Sequence, residues 1–162
     1  MLSGCASPTY EFQPITAGKD ETRAPRARSN SQLVRAVYAD LVGRAPQVYN
    51  FLVYDAQGTE VSRFPLDEQA LLIDTLDSVG DPTPMRALLI AGLVDSAEVS
   101  LPDKDDAGNP AAYITGQFRA FLGREPGAYE LAAFTAAWRE DPAVGPKTVV
   151  RALLGSREYQ SF

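Results

Sequence analysis

The sequence predicts an all-α fold of two related helical units of stacked helical hairpins, preceded by an extended N-terminal tether. The first observation is a repeat, because residues 33–46 and 113–126 share an apolar helix face, an aromatic residue and the ending Gly-Arg-x-Pro. The second is a shorter match between residues 93–99 and 153–159. Repeats of this kind indicate a supersecondary unit that buries its apolar face against its neighbour.

Composition narrows the range of functions. The 162 residues are 45% apolar and 22% charged, which is ordinary for a globular protein, and the net charge is −6. This acidic balance argues against a nucleic-acid surface, because phosphate binding depends on clustered Lys and Arg. Histidine is absent and there is one cysteine, so we expect no metal site, no cofactor and no intrachain disulfide.

Residues 1–30 are predicted to form an extended or disordered tether, since they are rich in Pro, Ser, Thr and charge. The run Leu-Ser-Gly-Cys at residues 2–5 resembles the lipobox of bacterial lipoproteins, in which the cysteine is lipidated. The apolar segment of such a signal is expected upstream of Met1. The resemblance makes Cys5 a candidate lipidation site. The apolar side chains that we expect to dock on a partner are Tyr10, Phe12 and Ile15.

The first helical unit is predicted to span residues 31–100. A helix beginning near residue 31 follows cap residues and should end at Gly43 in a left-handed conformation, with Pro46 preventing its continuation. An insertion of about 20 residues near 46–66 has no counterpart in the second unit. Within it, residues 48–61 fit a hairpin or a short helix and loop equally well.

Two more helices are expected in the first unit, one starting at residues 65–68 and one covering 85–95. Residues 101–110 are dense in turn formers and form the predicted linker. The second unit, residues 111–162, should contain three helices, at 111–122, about 127–140 and about 145–155.

Matching charged residues occur in the two units, with Arg44 and Arg124 after the glycine and Glu98 and Glu158 near the end. We interpret each arginine as a staple within its own unit, because a catalytic pair is not expected in both halves. No nucleophile motif or phosphate loop occurs, so the sequence does not predict an enzyme. The structural motif residues are Gly43, Arg44, Pro46, Gly123, Arg124, Pro126, Ser96, Glu98, Ser156 and Glu158.

The second unit resembles a bacterial helical domain of unassigned function that is common in secreted surface proteins and is similar to the linker domain of phycobilisomes. The matching residues are Phe118, Phe121, Leu122, Gly123, Arg124, Glu125, Pro126, Trp138, Ser156, Glu158 and Tyr159. The resemblance implies a scaffold or interaction role in an envelope assembly and brings no catalytic residues.

Two functions follow as hypotheses. The first is a non-enzymatic structural or adaptor protein of the bacterial cell envelope, on the periplasmic or cell-surface side of a membrane. It would contact the membrane only through lipidated Cys5, bind protein partners through its helical repeats and bind no nucleic acid.

The alternative is a small-molecule or polysaccharide binding module with an aromatic-lined cleft between the repeats. An exposed apolar patch favours the first function, and an aromatic-lined pocket favours the second.

Overall fold

Side-chain caps from Ser29, Asp67 and Asn109 start three of the described helices, and left-handed glycines end two helical segments. The computed structural model describes residues 26–161, so Cys5, Tyr10, Phe12 and Ile15 lie outside the described residues. The six α-helices of this part are α1 (Asn30–Val37), α2 (Glu68–Asp77), α3 (Thr83–Val94), α4 (Pro110–Leu122), α5 (Ala128–Glu140) and α6 (Pro146–Leu154).

The predicted all-α class is wrong, because the inserted segment folds as an antiparallel β-hairpin. Its strands are β1 (Val48–Tyr54) and β2 (Glu60–Asp67). β1 consists almost entirely of β-branched, aromatic and leucine side chains, which favour a pleated strand. The turn is made by Asp55, whose side chain accepts from the N–H groups of Gln57 and Thr59, and by Gly58 at φ 81°. The protein is therefore mixed α and β.

The helix α1 begins with a capping box, in which Ser29 and Gln32 each accept a hydrogen bond from the other's backbone N–H. It continues into a π-helical turn, Tyr38–Val42, where the Gly43 N–H bonds the Tyr38 carbonyl 2.9 Å away. The helix α4 ends instead with an α-type bond from Gly123 to Arg119. Both glycines are left-handed, at φ 75° and 66°, which confirms the predicted helix ends.

The helices of the two units correspond one to one, α1 to α4, α2 to α5 and α3 to α6. Buried residues occupy equivalent places, because Tyr38 matches Phe118 on the first helices and Leu76 matches Trp138 on the second. Even a loop detail recurs, since the side chain of Asp81 accepts from the N–H two residues on, as does that of Asp141. The hairpin lies between the first and second helices of the first unit.

Three apolar clusters form the core of the part of the chain that the structure describes. One belongs to the first unit and contains Val34, Tyr38 and Leu76, and another belongs to the second unit and is built around Phe118 and Trp138. The third joins the units through α1, α3 and α6. Its buried members are Leu33, Val37, Ile90, Val94, Val150, Leu154 and Tyr159. The two units therefore share one core, as expected for units that are each too small to be stable alone.

The two ends of the described chain lie together. Ala27 forms a β-bridge with Ser161, and the Arg28 N–H donates to the Gln160 carbonyl at 2.8 Å. Arg86 of α3 donates to the Arg28 carbonyl and to the Asn30 side chain, and these bonds connect α3 to the paired chain ends. Ala27 and Arg28, which precede α1, therefore lie next to the C-terminal end, in contact with the second unit.

Candidate functional site

The Gly-Arg-x-Pro motif of the second unit forms an ion-pair corner around Arg124. Gly123 turns the chain, and Arg124 then donates to both carboxylate oxygens of Glu158, at 2.6 Å each. It also donates to both oxygens of Glu130 at the start of α5, at 2.8 Å each. A fifth bond reaches the Glu125 carbonyl. Bidentate pairs of this kind are strong and directional.

The first unit repeats this corner around Arg44. Its guanidinium forks onto Glu98 at 2.7 and 2.8 Å, donates to Glu68 at 3.0 Å and donates to the Ala45 carbonyl at 2.9 Å. A further bond runs to the Tyr49 hydroxyl at the base of the hairpin, at 3.3 Å. The arginines therefore pair with Glu98 and Glu158, as the sequence suggested.

An aromatic ring lies under each arginine, at 5.3 Å for Arg44 over Tyr38 and 5.2 Å for Arg124 over Phe118. Burial raises the pKa of the Tyr38 hydroxyl, and its 2.7 Å hydrogen bond to Glu68 raises the pKa further. Arg124 and the Gly127 N–H hold the pKa of Glu130 at about 2. The carboxylates of Glu68 and Glu130, whose pKa values are lowered, are therefore charged near neutral pH.

A guanidinium has five N–H donors. Each arginine makes five hydrogen bonds inside the fold, so neither has a donor left for a ligand. Pro46 and Pro126 follow in the turns that lead out of the corners. The corners are therefore structural, and their guanidinium groups offer no free donor to a ligand.

The second carboxylates, Glu68 and Glu130, are residues that the sequence analysis did not single out. Glu130 lies only six residues after Arg124, whereas the hairpin separates Glu68 from Arg44 by 24 residues. The insertion therefore obscured the fact that Glu68 and Glu130 occupy equivalent positions in the two units. The available signal was the acidic residue at the start of the second helix in each unit.

The two motif serines differ. Ser156 donates to the Leu153 carbonyl at 2.6 Å and accepts from the Tyr159 N–H at 3.2 Å, so it caps the turn after α6. The backbone turn is the same at both serines, since the Ser96 N–H donates to the Leu93 carbonyl and the Ser156 N–H to the Leu153 carbonyl, but among the described residues the buried Ser96 hydroxyl has no hydrogen-bond partner.

The hairpin is the part of the described chain that exposes most apolar side chains. Cross-strand partners are Tyr49 with Leu66, Phe51 with Phe64 and Val53 with Ser62. Partners across a pair of strands share a face, so these residues line one face of the sheet. The rings of Phe51 and Phe64 stack with their centroids 5.1 Å apart. We call this side, Tyr49, Phe51, Val53, Phe64 and Leu66, the aromatic face.

The aromatic face is open to solvent. Phe51 is 53% exposed and Phe64 is 44% exposed. No residue between Val48 and Asp67 belongs to any of the three core clusters of the described chain. A contiguous exposed apolar patch is typical of an interaction site. An isolated hairpin is also marginally stable in water, so it gains from a partner.

A cleft of about 580 Å³ lies where the two units meet, next to the paired chain ends. Its lining includes Arg86, Arg157, Gln160 and Thr83, with no aromatic side chain. The aromatic-lined cleft that the alternative function requires is therefore not found at this place. Arg86 is also engaged, because it bonds Asn30 and the Arg28 carbonyl.

Within residues 26–161, no group of three or more His, Cys, Asp or Glu side chains is arranged to hold a metal ion. No helix in that range is long and apolar enough to cross a membrane. No protein-family model, curated protein or solved structure matches the chain. A function therefore has to be argued from the geometry described above.

Proposed function

We propose that this chain is a non-enzymatic adaptor of the bacterial cell envelope, anchored by a lipid on Cys5 and binding protein. The observation that carries the proposal is the aromatic face of the hairpin, which is exposed to solvent. The arginines of both ion-pair corners, in contrast, have all their N–H donors bonded within the fold. The hairpin replaces the helical repeats as the proposed docking surface, because it exposes more contiguous apolar surface than they do.

The duplicated corners support the scaffold part of the proposal. Both guanidinium groups use all their donors in contacts within their own unit, so the repeat serves stability. The resemblance of the second unit to a helical domain of surface proteins agrees with this interpretation. The lipobox-like residues 2–5 and the polar segment that follows support an anchor at the membrane surface.

The alternative, a small-molecule or polysaccharide binding module, has weaker support. The cleft between the units has the volume of a ligand pocket. Its polar lining offers no ring on which a sugar can stack, and Arg86 is already bonded. Titration with oligosaccharides that leaves the amide resonances of Thr83 and Arg157 unmoved would remove this function.

The anchor is tested by expressing the full reading frame in a bacterium that processes lipoproteins. We expect the protein to partition into the detergent phase and to carry acyl groups on Cys5, and Cys5→Ser to release it into the soluble fraction. One acyl chain binds membranes only marginally, so several chains should be found. An unmodified Cys5 in the mature protein contradicts the anchor.

Protein binding by the hairpin is tested by photo-cross-linking in the same cells. A benzophenone amino acid replaces Phe51 in one strain and Tyr129 in a control strain. Tyr129, on α5, is 85% exposed and far more accessible than Phe51, at 53%. We expect protein adducts from position 51 and few from position 129. Equal yields at the two positions, or none at position 51, argue against docking through the hairpin.

A further inference from the structure

The two edges of the hairpin differ in how well they are protected against pairing with another strand. The β2 edge carries Glu60, Arg63, Pro65 and Asp67, and a register irregularity near its start. Charged residues, proline and bulges are the features that keep an edge strand from pairing with other chains. The β2 edge is therefore protected.

The β1 edge has none of these features. Its seven residues, Val-Tyr-Asn-Phe-Leu-Val-Tyr, include no charge, no proline and no glycine. In the described chain β1 pairs only with β2, so its outer edge offers free backbone donors and acceptors. An uncharged edge strand of this composition is a template for adding a further strand.

We propose that the β1 edge pairs antiparallel with the β1 edge of a second copy of this chain, giving a four-stranded sheet across a twofold axis. The inference rests on the proposed function, because it names the protein that occupies the hairpin. Two observations support the pairing. The β1 edge is unprotected whereas the β2 edge is protected, and pairing through β1 would extend the exposed aromatic face into the second copy.

One register of β1 self-pairing, centred on Phe51, pairs all seven residues and places Asn50 opposite Leu52 as its single polar–apolar mismatch. In that register Val48 faces Tyr54 of the other copy, and Tyr49 faces Val53. Aromatic residues opposite β-branched ones are favourable cross-strand pairs. The two Phe51 rings become neighbours, so Phe64 and Phe51 of both copies form one row of four rings across the sheet.

Charge permits this contact between two copies of an acidic protein. Each copy has a net charge of −6, but β1 has no charge, so no like charges meet at the new strand pair. The charged residues of β2 lie on the outer edges. Two short strands bury less than the roughly 800 Å² per partner of a standard interface, so we expect weak association in solution. Anchoring in one membrane raises the effective concentration.

The test uses disulfide trapping in the full chain with Cys5→Ser, which leaves each introduced cysteine as the only one. Residues directly opposite in an antiparallel pair have Cα atoms about 4.5–5.5 Å apart, within the range for a disulfide. Phe51→Cys should therefore form a covalent dimer on mild oxidation. Phe64→Cys is the matched control, because it lies on the same face, is similarly exposed and would be about 14 Å from its twin.

A second pair of variants tests the pairing without oxidation. Phe51→Lys places like charges opposite each other, and Phe64→Lys adds the same charge on the protected strand. We expect Phe51→Lys to weaken self-association at least tenfold in sedimentation equilibrium, and Phe64→Lys to change it less than threefold.

Three results overturn the proposal. Equal trapping of the Phe51→Cys and Phe64→Cys variants would indicate packing of aromatic faces in place of edge pairing. Trapping of Phe51→Cys only after deletion of residues 8–16 would mean that the N-terminal segment covers the edge. A monomer at every concentration, with no trapping at position 51, excludes the second copy. If photo-cross-linking at Phe51 then still captures another protein, the proposed adaptor function survives and only self-pairing fails.

Discussion

Arg124 shows how a motif residue can be important without touching a ligand. All five of its N–H donors bond carboxylates or a carbonyl of its own unit. The sequence identified the pairing with Glu158, because both residues recur at matching places in the repeat. It did not identify Glu130 as the second partner, because the inserted hairpin moves the equivalent Glu68 to 24 residues from Arg44 and so conceals the repeat.

The corner makes stability depend on pH through its carboxylates. The pKa of Glu130 is about 2 in the folded protein, against an ordinary value of 4.5, because Arg124 and the Gly127 N–H stabilise the charged form. A lowered pKa means that the stabilisation is present above about pH 4.5 and is lost as the pH falls toward 2. We expect Arg124→Gln to lower the melting temperature at pH 6 and to have little further effect near pH 2.

Arg63→Gln is the control for this pH series. It breaks an exposed ion pair with Glu60 on the hairpin, and exposed pairs contribute little to stability. Its melting temperature should follow the wild-type pH curve. A difference between Arg124→Gln and wild type that stays constant from pH 6 to pH 2 would show that the carboxylates do not stabilise the corner through their charge.

Gly123 is required for its backbone conformation. Its φ is 66°, and an added Cβ meets no atom within 4 Å, so the cost of Gly123→Ala comes from backbone strain alone. We expect a loss of about 1 kcal/mol in chemical denaturation. Gly116→Ala is the control, because it adds the same methyl group inside α4 with free space around it and should stabilise by about 0.5–1 kcal/mol. Two equal effects would contradict this explanation.

At the level of elements, the six described helices were predictable from apolar periodicity, supported by side-chain caps at α1, α2 and α4 and by the left-handed glycines Gly43 and Gly123. The sequence left the hairpin and a short helix with a loop as equal alternatives, because the apolar run of β1 has neither a clear helical nor a clear strand period. A short run of this kind fits either structure when no turn type is recognised. Asp55 and Gly58 are turn-forming residues, but they fit the loop of either alternative and so did not decide between them.

The contact between α3 and α6 should make the two units unfold together. Leu154 is fully buried in the cluster that joins the units, whereas Leu88 on α3 is 65% exposed. We expect Leu154→Ala to cost about 2–5 kcal/mol and Leu88→Ala less than about 0.5 kcal/mol. Denaturation followed by tryptophan fluorescence and by circular dichroism should give one transition. Separate transitions would mean that the units fold independently.

At the scale of the whole molecule, the hairpin is an addition to a complete helical scaffold. Gln47 and Glu68, on either side of it, stay bonded to each other, with the Glu68 N–H donating to the Gln47 carbonyl at 3.0 Å. The Gln47 N–H also donates to the Glu68 side chain, just as the Gly127 N–H donates to Glu130 in the second unit. The chain can therefore leave and re-enter the scaffold at one point.

The central claim is that the hairpin supplies binding surface and the helices supply stability. It is tested most directly by the free energy of unfolding of a variant in which Ala-Tyr, copied from residues 128–129, replaces residues 48–67. We expect the free energy to stay within about 1.5 kcal/mol of wild type, the main loss being the Asp67 cap of α2. A loss of more than about 4 kcal/mol would show that the hairpin is part of the structural core, and would contradict the account.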